Sequence, residues 1–426
     1  MHPPLPDVTT TPPIQWKYIS EGGASIVFSF TGPHHPQFSG TVLRLRKAPC
    51  NSPTPDVLEC SRRTLPMESG AVDDEPDDPT IAFQNKVIAR LVPPQHLPRL
   101  EAVRVSQAWL EELRNLHEDD RPIERRLKDQ IDVHRAKAVL ATDLVGGPVW
   151  AVEIKPKWGF LPNPQYLSSE TTEKKSRRCR FCMHSHYKTS NGDTPTTEYC
   201  PLDLYSGDEQ RTRKSLRALW DSWTRSDGAV NNLKIFVQGD SIRPSDNISL
   251  GKLADVLQNS GETVESCITA LLPLVLESPL LRILSGLQRS LDQLDIEGLS
   301  ALWQVANKGV PLGSTFADPP MAEWDAFTTE YLASTAPTLP ADRLPDSKYL
   351  HYFCVAYLLS ATFKDCSVIF CLGKGGGEQD SATVIDLDPK SMERLQKWAD
   401  LDRKIVDAFD IDDGTCVDSL KADYDV

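Results

Sequence analysis

The chain has 426 residues, 60 acidic against 46 basic side chains and a formal charge of −14, which argues against a nonspecific nucleic-acid binder, since that function needs a basic face to displace counterions. No run approaches the ~20 consecutive apolar residues of a membrane span, and the first residues, MHPPLPDVTTTPP, have neither the basic nor the apolar part of a signal peptide, so the expected protein is intracellular, with no membrane and no nucleic-acid partner. Ten scattered cysteines predict reduced thiols rather than a disulfide framework, and a chain of this length, 40% hydrophobic, predicts two lobes, each with its own core.

In chain order, QWKYIS, EGGAS, IVFSF and GTVLRLRK read as strand, Gly-rich turn, strand and, after a loop, a half-buried strand with Arg44 and Arg46 on one face. Residues 50–80, rich in Pro, Asp and Ser and including the acidic run from Asp73 to Asp78, predict a surface loop. Apolar spacing over 81–116 predicts helix, broken at Pro93 and Pro94. AVLATDL and PVWAVEI read as strands flanking a Gly-Gly-Pro turn at 146–148. The region 158–240 is rich in basic, Cys and His residues, with one helix in RTRKSLRALWDSW and a strand in LKIFVQG. Residues 250–335 predict helices, with Leu284, Leu287, Leu291 and Leu294 as an apolar packing stripe. A strongly apolar helix over 348–362 leads into KDCSVIFCL, the loop GKGGG and TVIDLD. There is no internal repeat. The expected fold class is α+β, with an N-lobe over 1–145 and a C-lobe over 146–426.

Three segments carry chemistry. In Glu21-Gly22-Gly23-Ala24-Ser25 the glycines let backbone N–H groups approach phosphate oxygens, and Arg44 or Lys47 on the succeeding strand would bring a cation to a nucleotide, although the same segment serves equally as a plain hairpin turn. The order of apolar helix, Asp365, strand, loop, strand and Asp386 is that of a kinase's catalytic acid and metal-binding acid; the plainer reading is a turn cap and a strand end. In EIKPKWGFLP, Glu153 and Lys155 share a strand face and Pro156 fixes the backbone before Lys157, while Arg177, Arg178, Arg180, His184 and Lys188 form a dense cationic patch suited to phosphates, or a solvated face.

The blocks EIKPKWGFLP, CRFCMHSHYK, YCPLDLYSGD, NNLKIF, LDIEGL, KDCS and VIDLD, in this order across about 16–405, resemble the inositol-pentakisphosphate 2-kinase family. The resemblance implies a kinase-like two-lobe fold whose C-lobe carries an inositol-phosphate-binding insert. It also implies an ATP- and Mg2+-dependent enzyme, a monomer of the nucleus or cytoplasm, that phosphorylates the 2-hydroxyl of inositol pentakisphosphate to give the hexakisphosphate. Residue by residue, Glu21, Gly22, Gly23, Ala24, Ser25 and Arg44 match contacts to the ATP phosphates. Asp143 and Leu144 match the adenine-reading hinge, and Glu153 an acidic residue of the nucleotide site. Asp365 matches the catalytic aspartate, Asp386 the Mg2+ ligand, and Lys155 a lysine shared by substrate and transferring phosphate. Arg125, Lys157, Arg180, His184, Lys188, Asn231, Lys390 and Arg394 match substrate contacts. Departures are Ile19 for a basic residue, Lys234 for an arginine and Trp398 for a tyrosine.

Cys179-x-x-Cys182 with nearby His184, His186 and Cys200 is a plausible tetrahedral zinc set. If His184 belongs to the substrate, the ligands are Cys179, Cys182, His186 and Cys200; the alternative is four unligated side chains. Three other functions stay open: a kinase for another inositol phosphate or a protein, a noncatalytic inositol-phosphate sensor or scaffold, and a zinc-dependent nucleic-acid module, which the net charge disfavours.

Overall fold

A computed structural model describes residues 4–50, 75–147, 150–193, 197–257, 262–333, 337, 339–340, 344–373, 380–410 and 414–420. Most of the expected 50–80 loop, residues 374–377 of the Gly-rich GKGGG segment and Pro148 of the 146–148 turn lie outside them. The fold is α+β and divides into two compact units, one of 1–84, 98–148 and 238–241, the other of 85–97, 149–237 and 242–426.

The first unit is built on an antiparallel sheet of β1 (Trp16–Glu21), β2 (Ser25–Phe30), β3 (Thr41–Pro49), β4 (Leu100–Arg104), β5 (Asp129–Ile131) and β6 (Lys137–Thr142). Its order is β1-β2-β3-β6-β4, with β5 paired to β3. Helix α1 (Gln107–His117), capped by the Ser106 hydroxyl, covers one face, and Trp16, Phe28, Leu43, Leu45, Trp109 and Leu113 form the core beneath it. The buried indoles keep their N–H groups paired, Trp16 to the Thr11 hydroxyl at 2.9 Å and Trp109 to the Thr11 carbonyl at 2.8 Å, as burial of a polar handle requires.

The helix expected over 81–116 is corrected. Its middle is the strand β4, paired in register with β6 from Leu100↔Ala141 to Arg104↔Lys137. Pro98 biases the residue before it against helix; helix forms at the two ends of the expected span, over Pro79–Lys86 and, from the Ser106 cap, over Gln107–His117. Cross-strand pairing with β6, which a local apolar count cannot see, decides the outcome.

The second unit has an antiparallel sheet containing β7 (Trp150–Ile154), β8 (Leu233–Val237), β9 (Ser367–Leu372) and β10 (Ser381–Ile385), ordered β10-β9-β7-β8. Around it lie α2 (Arg180–Ser190), α3 (Glu209–Arg225), α4 (Thr263–Glu277), α5 (Leu280–Leu291), α6 (Asp295–Ala306), α7 (Met321–Leu332), α8 (Leu350–Lys364) and α9 (Arg394–Asp407). Helix α8 is buried nearly all round, as its unbroken apolar sequence demands. The leucine stripe is interrupted: α5 ends at Leu291, and Leu294 is the cap residue before α6. All four leucines are buried.

Candidate functional site

In the first unit, β1 runs into the Gly22–Gly23 turn, closed by Gly22 N–H donating to the Ser25 carbonyl at 2.9 Å. A Cβ on Gly22 or Gly23 would meet nothing within 4 Å, and neither has a positive φ. The fold of this unit therefore tolerates side chains there, and the openness fits close approach of a ligand to the backbone. The turn is anchored by the Glu21 carboxylate, which takes Arg121 Nη2 at 2.9 Å and the ammonium of Lys47. Lys47 also pairs with Asp129 at 3.0 Å, with only 3% of its side chain exposed. Burial would raise the Glu21 pKa, but Arg121 and Lys47 hold it below the ordinary carboxylate value. Of the two cations offered for a nucleotide, Lys47 is thus committed to this buried cluster, whereas among the described residues no ion pair holds Arg44.

The Asp143 carboxylate is consumed by the turn after β6: it accepts from the Ser29 hydroxyl, from Val145 N–H at 3.0 Å and from Gly146 N–H at 2.7 Å. A Cβ on Gly146 would collide with it. The Asp143 side chain is therefore committed to this turn. Arg125 lies in the short helix Ile123–Arg126, half-buried.

In the second unit, Glu153 on the central strand β7 faces Lys234 on β8 and Ile369 on β9. Both of its oxygens are engaged, by Ser367 Oγ at 2.8 Å and Lys234 Nζ at 3.0 Å. Asp386 follows β10 with φ 62°, a left-handed backbone that costs a non-glycine residue about 1 kcal/mol or more and is concentrated at functional sites. Its Oδ2 lies 3.4 Å from both Lys155 Nζ and Ser367 Oγ. The two lysines of the KPK segment differ. Burial lowers both, but Asp386, Glu153 and Asp365 raise the Lys155 pKa above the usual value, whereas desolvation prevails at Lys157 and leaves it lowered.

Lys157 also has a left-handed backbone, φ 65°, held by groups remote in sequence. The fully buried Gln288 on α5 places its Nε2 3.1 Å from the Lys157 carbonyl and 2.9 Å from the Phe363 carbonyl. Its Oε1 accepts from Gly159 N–H at 2.7 Å, and its backbone carbonyl accepts from Ser360 Oγ at 2.8 Å. One side chain thereby clamps the KPKWG segment to the end of α8, where Asp365 sits as the helix C-cap. Gly159 is needed there, since a Cβ would lie 2.8 Å from the Tyr205 ring.

A cavity of about 330 Å³ opens in this unit. Of the expected substrate residues, Lys157, Arg180, His184, Lys188, Asn231, Lys390 and Arg394 line it, together with Asp365 and Trp398. Arg180, His184 and Lys188 reach it because a spacing of four puts them on one face of α2. Asp365 has Lys390 at 3.2 Å and Lys157 at 3.6 Å. Burial opposes its ionisation, yet Lys390 and Lys157 hold its pKa below the ordinary aspartate value. Asp402 reaches the same wall but is buried and neutralised by Lys175 at 2.8 Å and Arg180 at 2.7 Å. Burial, then Arg180, Lys188 and Lys157, push His184 down to about 4.

The sequence reading missed Lys364, which lies in the cavity wall with its ammonium 4.1 Å from the Trp158 ring centre and 4.5 Å from that of Tyr357 and paired to buried Asp292. A lysine closing an otherwise apolar helix was the available signal. Gln288, inside a leucine stripe, gave none. The proposed sulfur and nitrogen set is corrected: Cys179, Cys182 and Cys200 converge with Cys416, while the His186 ring packs against Phe409, centroids 5.8 Å apart.

Removal of the carboxamide by Gln288→Leu leaves the buried Gly159 N–H unpaired, at ~1–3 kcal/mol, and takes one donor each from the Lys157 and Phe363 carbonyls, which among the described residues keep only Tyr205 Oη at 3.3 Å and Cys366 Sγ at 3.1 Å. Urea unfolding should show a loss of about 3 kcal/mol; a loss below ~0.5 kcal/mol, the range of a neutral surface change, contradicts the clamp.

A sequence profile of the family described as inositol-pentakisphosphate 2-kinase matches residues 18–404. The chain is 34% identical over 419 residues to the inositol-pentakisphosphate 2-kinase of Cryptococcus neoformans, covering 93% of each protein. It is 29% identical to the enzyme of that name from Oryza sativa, over 92% of this chain and 93% of the relative, and 27% identical to that of Arabidopsis thaliana over the same shares.

Proposed function

Because the chain belongs to the inositol-pentakisphosphate 2-kinase family, we propose that it transfers the γ-phosphoryl group of ATP to the 2-hydroxyl of inositol 1,3,4,5,6-pentakisphosphate, giving inositol hexakisphosphate and ADP. The observation that carries this reading is the placement of one exposed carboxylate, Asp365, in a cavity whose other charged walls are cationic or neutralised. A ring bearing five phosphates and one hydroxyl is oriented by that pattern. Phosphates are drawn to Lys157, Arg180, Lys188, Lys390 and Arg394 and repelled from Asp365, so the hydroxyl faces the acid.

Asp365, kept ionised by its two lysines, is a weak base. Its role is to fix the hydroxyl's direction and to take the proton late, which suits a loose phosphoryl-transfer transition state in which positioning and charge stabilisation dominate. Lys155, held protonated by Asp386 and Glu153, stabilises the transferring group. Asp386 would hold Mg2+, which supplies neutralisation of the β- and γ-phosphates when bound; its Lys155 and Ser367 contacts both use Oδ2. We read the two units as the lobes of a kinase-like fold, the first offering the Gly22–Gly23 backbone and Arg44 to ATP phosphates and the Asp143–Leu144 backbone to adenine. Arg125 is assigned to a substrate phosphate, and a structural Zn2+ to sulfurs that include Cys179, Cys182 and Cys200.

Asp365→Asn keeps shape but removes the acceptor. Steady-state assay should show kcat lower by about 10²–10⁴-fold, with the pentakisphosphate KM unchanged or lower because a negative charge is gone; an unchanged kcat contradicts the role. His184 gives a pH signature. Neutral at pH 6 in the free protein, with its pKa down at about 4, it gains protons when phosphates arrive, so its contribution to affinity grows as pH falls from 7 towards 5. Calorimetry at pH 6 in buffers of different ionisation enthalpy should show proton uptake that shrinks in His184→Asn; identical uptake in both proteins contradicts this.

A further inference from the structure

Two helices of the second unit each bring three side chains to the cavity at the same spacing. Arg180, His184 and Lys188 come from α2, and Arg394, Trp398 and Asp402 from α9; steps of four keep each set on one helix face. The helices are joined by Met183 and Tyr187 of α2, packed against Leu401, Ile405 and Val406 of α9 and Phe409 just beyond it. Five of the six residues are cationic or neutral and suit a phosphate-bearing ligand. Asp402 is the exception, and a carboxylate in a wall that receives phosphates lowers affinity unless its charge is engaged elsewhere.

Both oxygens of Asp402 are engaged. Oδ1 lies 2.7 Å from Arg180 Nε, and Oδ2 lies 2.8 Å from Lys175 Nζ. Lys175, on the short helix Thr172–Arg177, pairs in turn with Asp295 and, at 3.4 Å, with Glu297. Asp295 reaches it from a left-handed backbone, φ 60°, a conformation that only its surroundings can hold. The series Asp295, Lys175, Asp402, Arg180 alternates in sign, and its first three members are buried, so packing rather than solvent fixes its geometry. Arg180 is held a second time by its face, with Cζ 5.7 Å from the centre of the Trp158 ring, inside the ~6 Å reach of a cation–π contact. Among the described residues, no hydrogen bond or ion pair takes Arg180 Nη1 or Nη2. Those two nitrogens carry most of the guanidinium's donors and form a flat edge that matches a phosphate.

We propose that Asp402 is a positioning residue for Arg180: backed by Lys175 and Asp295, it holds the guanidinium by Nε beside Trp158, so that the Nη1–Nη2 edge is set in advance for one phosphate of the pentakisphosphate ring. This rests on the reading of the cavity as the pentakisphosphate site. Asp402 acts through Arg180 and not on the substrate. The rotamer freedom that a loose arginine loses on binding is here given up on folding, which favours affinity. A lysine at the same position has a single nitrogen for both Asp402 and a phosphate and cannot serve the two together in this way. The effect belongs to binding of the pentakisphosphate, so it enters its KM rather than kcat.

The test is a double-mutant cycle on the full-length chain, read as kcat, the KM for pentakisphosphate and for ATP, and the pentakisphosphate Kd by calorimetry. Asp402→Asn keeps the shape but offers one acceptor oxygen where two cations need one each. It should raise the pentakisphosphate KM and Kd by about 10-fold, with kcat and the ATP KM changed by less than about 2-fold. Arg180→Ala should raise them at least as far, and the double variant no further than Arg180→Ala alone, because Asp402 then has nothing to position. Arg180→Lys keeps the charge and leaves no buried acid unpaired, so it decides the question if Asp402→Asn does not fold; its pentakisphosphate KM should approach that of Arg180→Ala. An unchanged pentakisphosphate KM in Asp402→Asn, multiplied effects in the double variant, or an Arg180→Lys protein that binds like wild type overturns the positioning role. Equal losses in the KM for pentakisphosphate and for ATP mark a merely structural role and overturn it as well. Wild type that binds pentakisphosphate without turning it over would count against the proposed function, and the Kd cycle would still judge Asp402. Wild type that does not bind pentakisphosphate overturns both.

Discussion

The buried carboxamide of Gln288 is the contact on which the second unit's chemistry depends. The KPKWG segment leaves the central strand β7 with a left-handed residue at Lys157, a conformation that does not hold itself. Gln288 supplies donors to the Lys157 and Phe363 carbonyls and an acceptor to Gly159. A chain segment carrying a cation and a helix end carrying an acid, some 200 residues apart in sequence, are thereby joined through one side chain, and the Lys157 to Asp365 approach of 3.6 Å is the result.

Charge is organised on the same plan. A chain with formal charge −14 nonetheless builds a cationic cavity, because the acids near it are either spent or placed for use. Asp292 is consumed by Lys364, and Asp402 by Lys175 and Arg180. Asp365 is left exposed at the cavity. Removing one partner of such a buried pair would leave an isolated charge in low dielectric, a far larger penalty than the pair's net contribution to stability. The wall of the cavity and the ionic network beneath it are therefore a single electrostatic unit. Burial first, and then the cations Arg180, Lys188 and Lys157, hold the His184 pKa down.

Much of this was legible in the sequence, for identifiable reasons. The hairpin with Gly22 and Gly23 follows from period-two patterning and glycine. The convergence of Arg180, His184 and Lys188 follows from their spacing of four on one helix. The chain order of Asp365 and Asp386 needed only the apolar helix and two strands around them. What escaped depended on distant partners. The strand at Leu100–Arg104 is set by pairing with Lys137–Thr142, Lys47 is claimed by Glu21 and Asp129, and Gln288 sits inside a stripe that reads as plain packing. Cys416 lies 216 residues beyond Cys200, so spacing favoured the nearer His186, which the structure turns towards Phe409.

The account makes one carboxylate in a cationic cavity select the single hydroxyl of a pentakisphosphate ring as acceptor. Its most direct measurement is product analysis: the purified chain incubated with inositol 1,3,4,5,6-pentakisphosphate, Mg2+ and ATP, with inositol phosphates resolved by anion exchange and ADP followed in parallel. The account predicts inositol hexakisphosphate and ADP appearing in equal amounts. ADP without hexakisphosphate, or no turnover of pentakisphosphate by the intact protein, would contradict it.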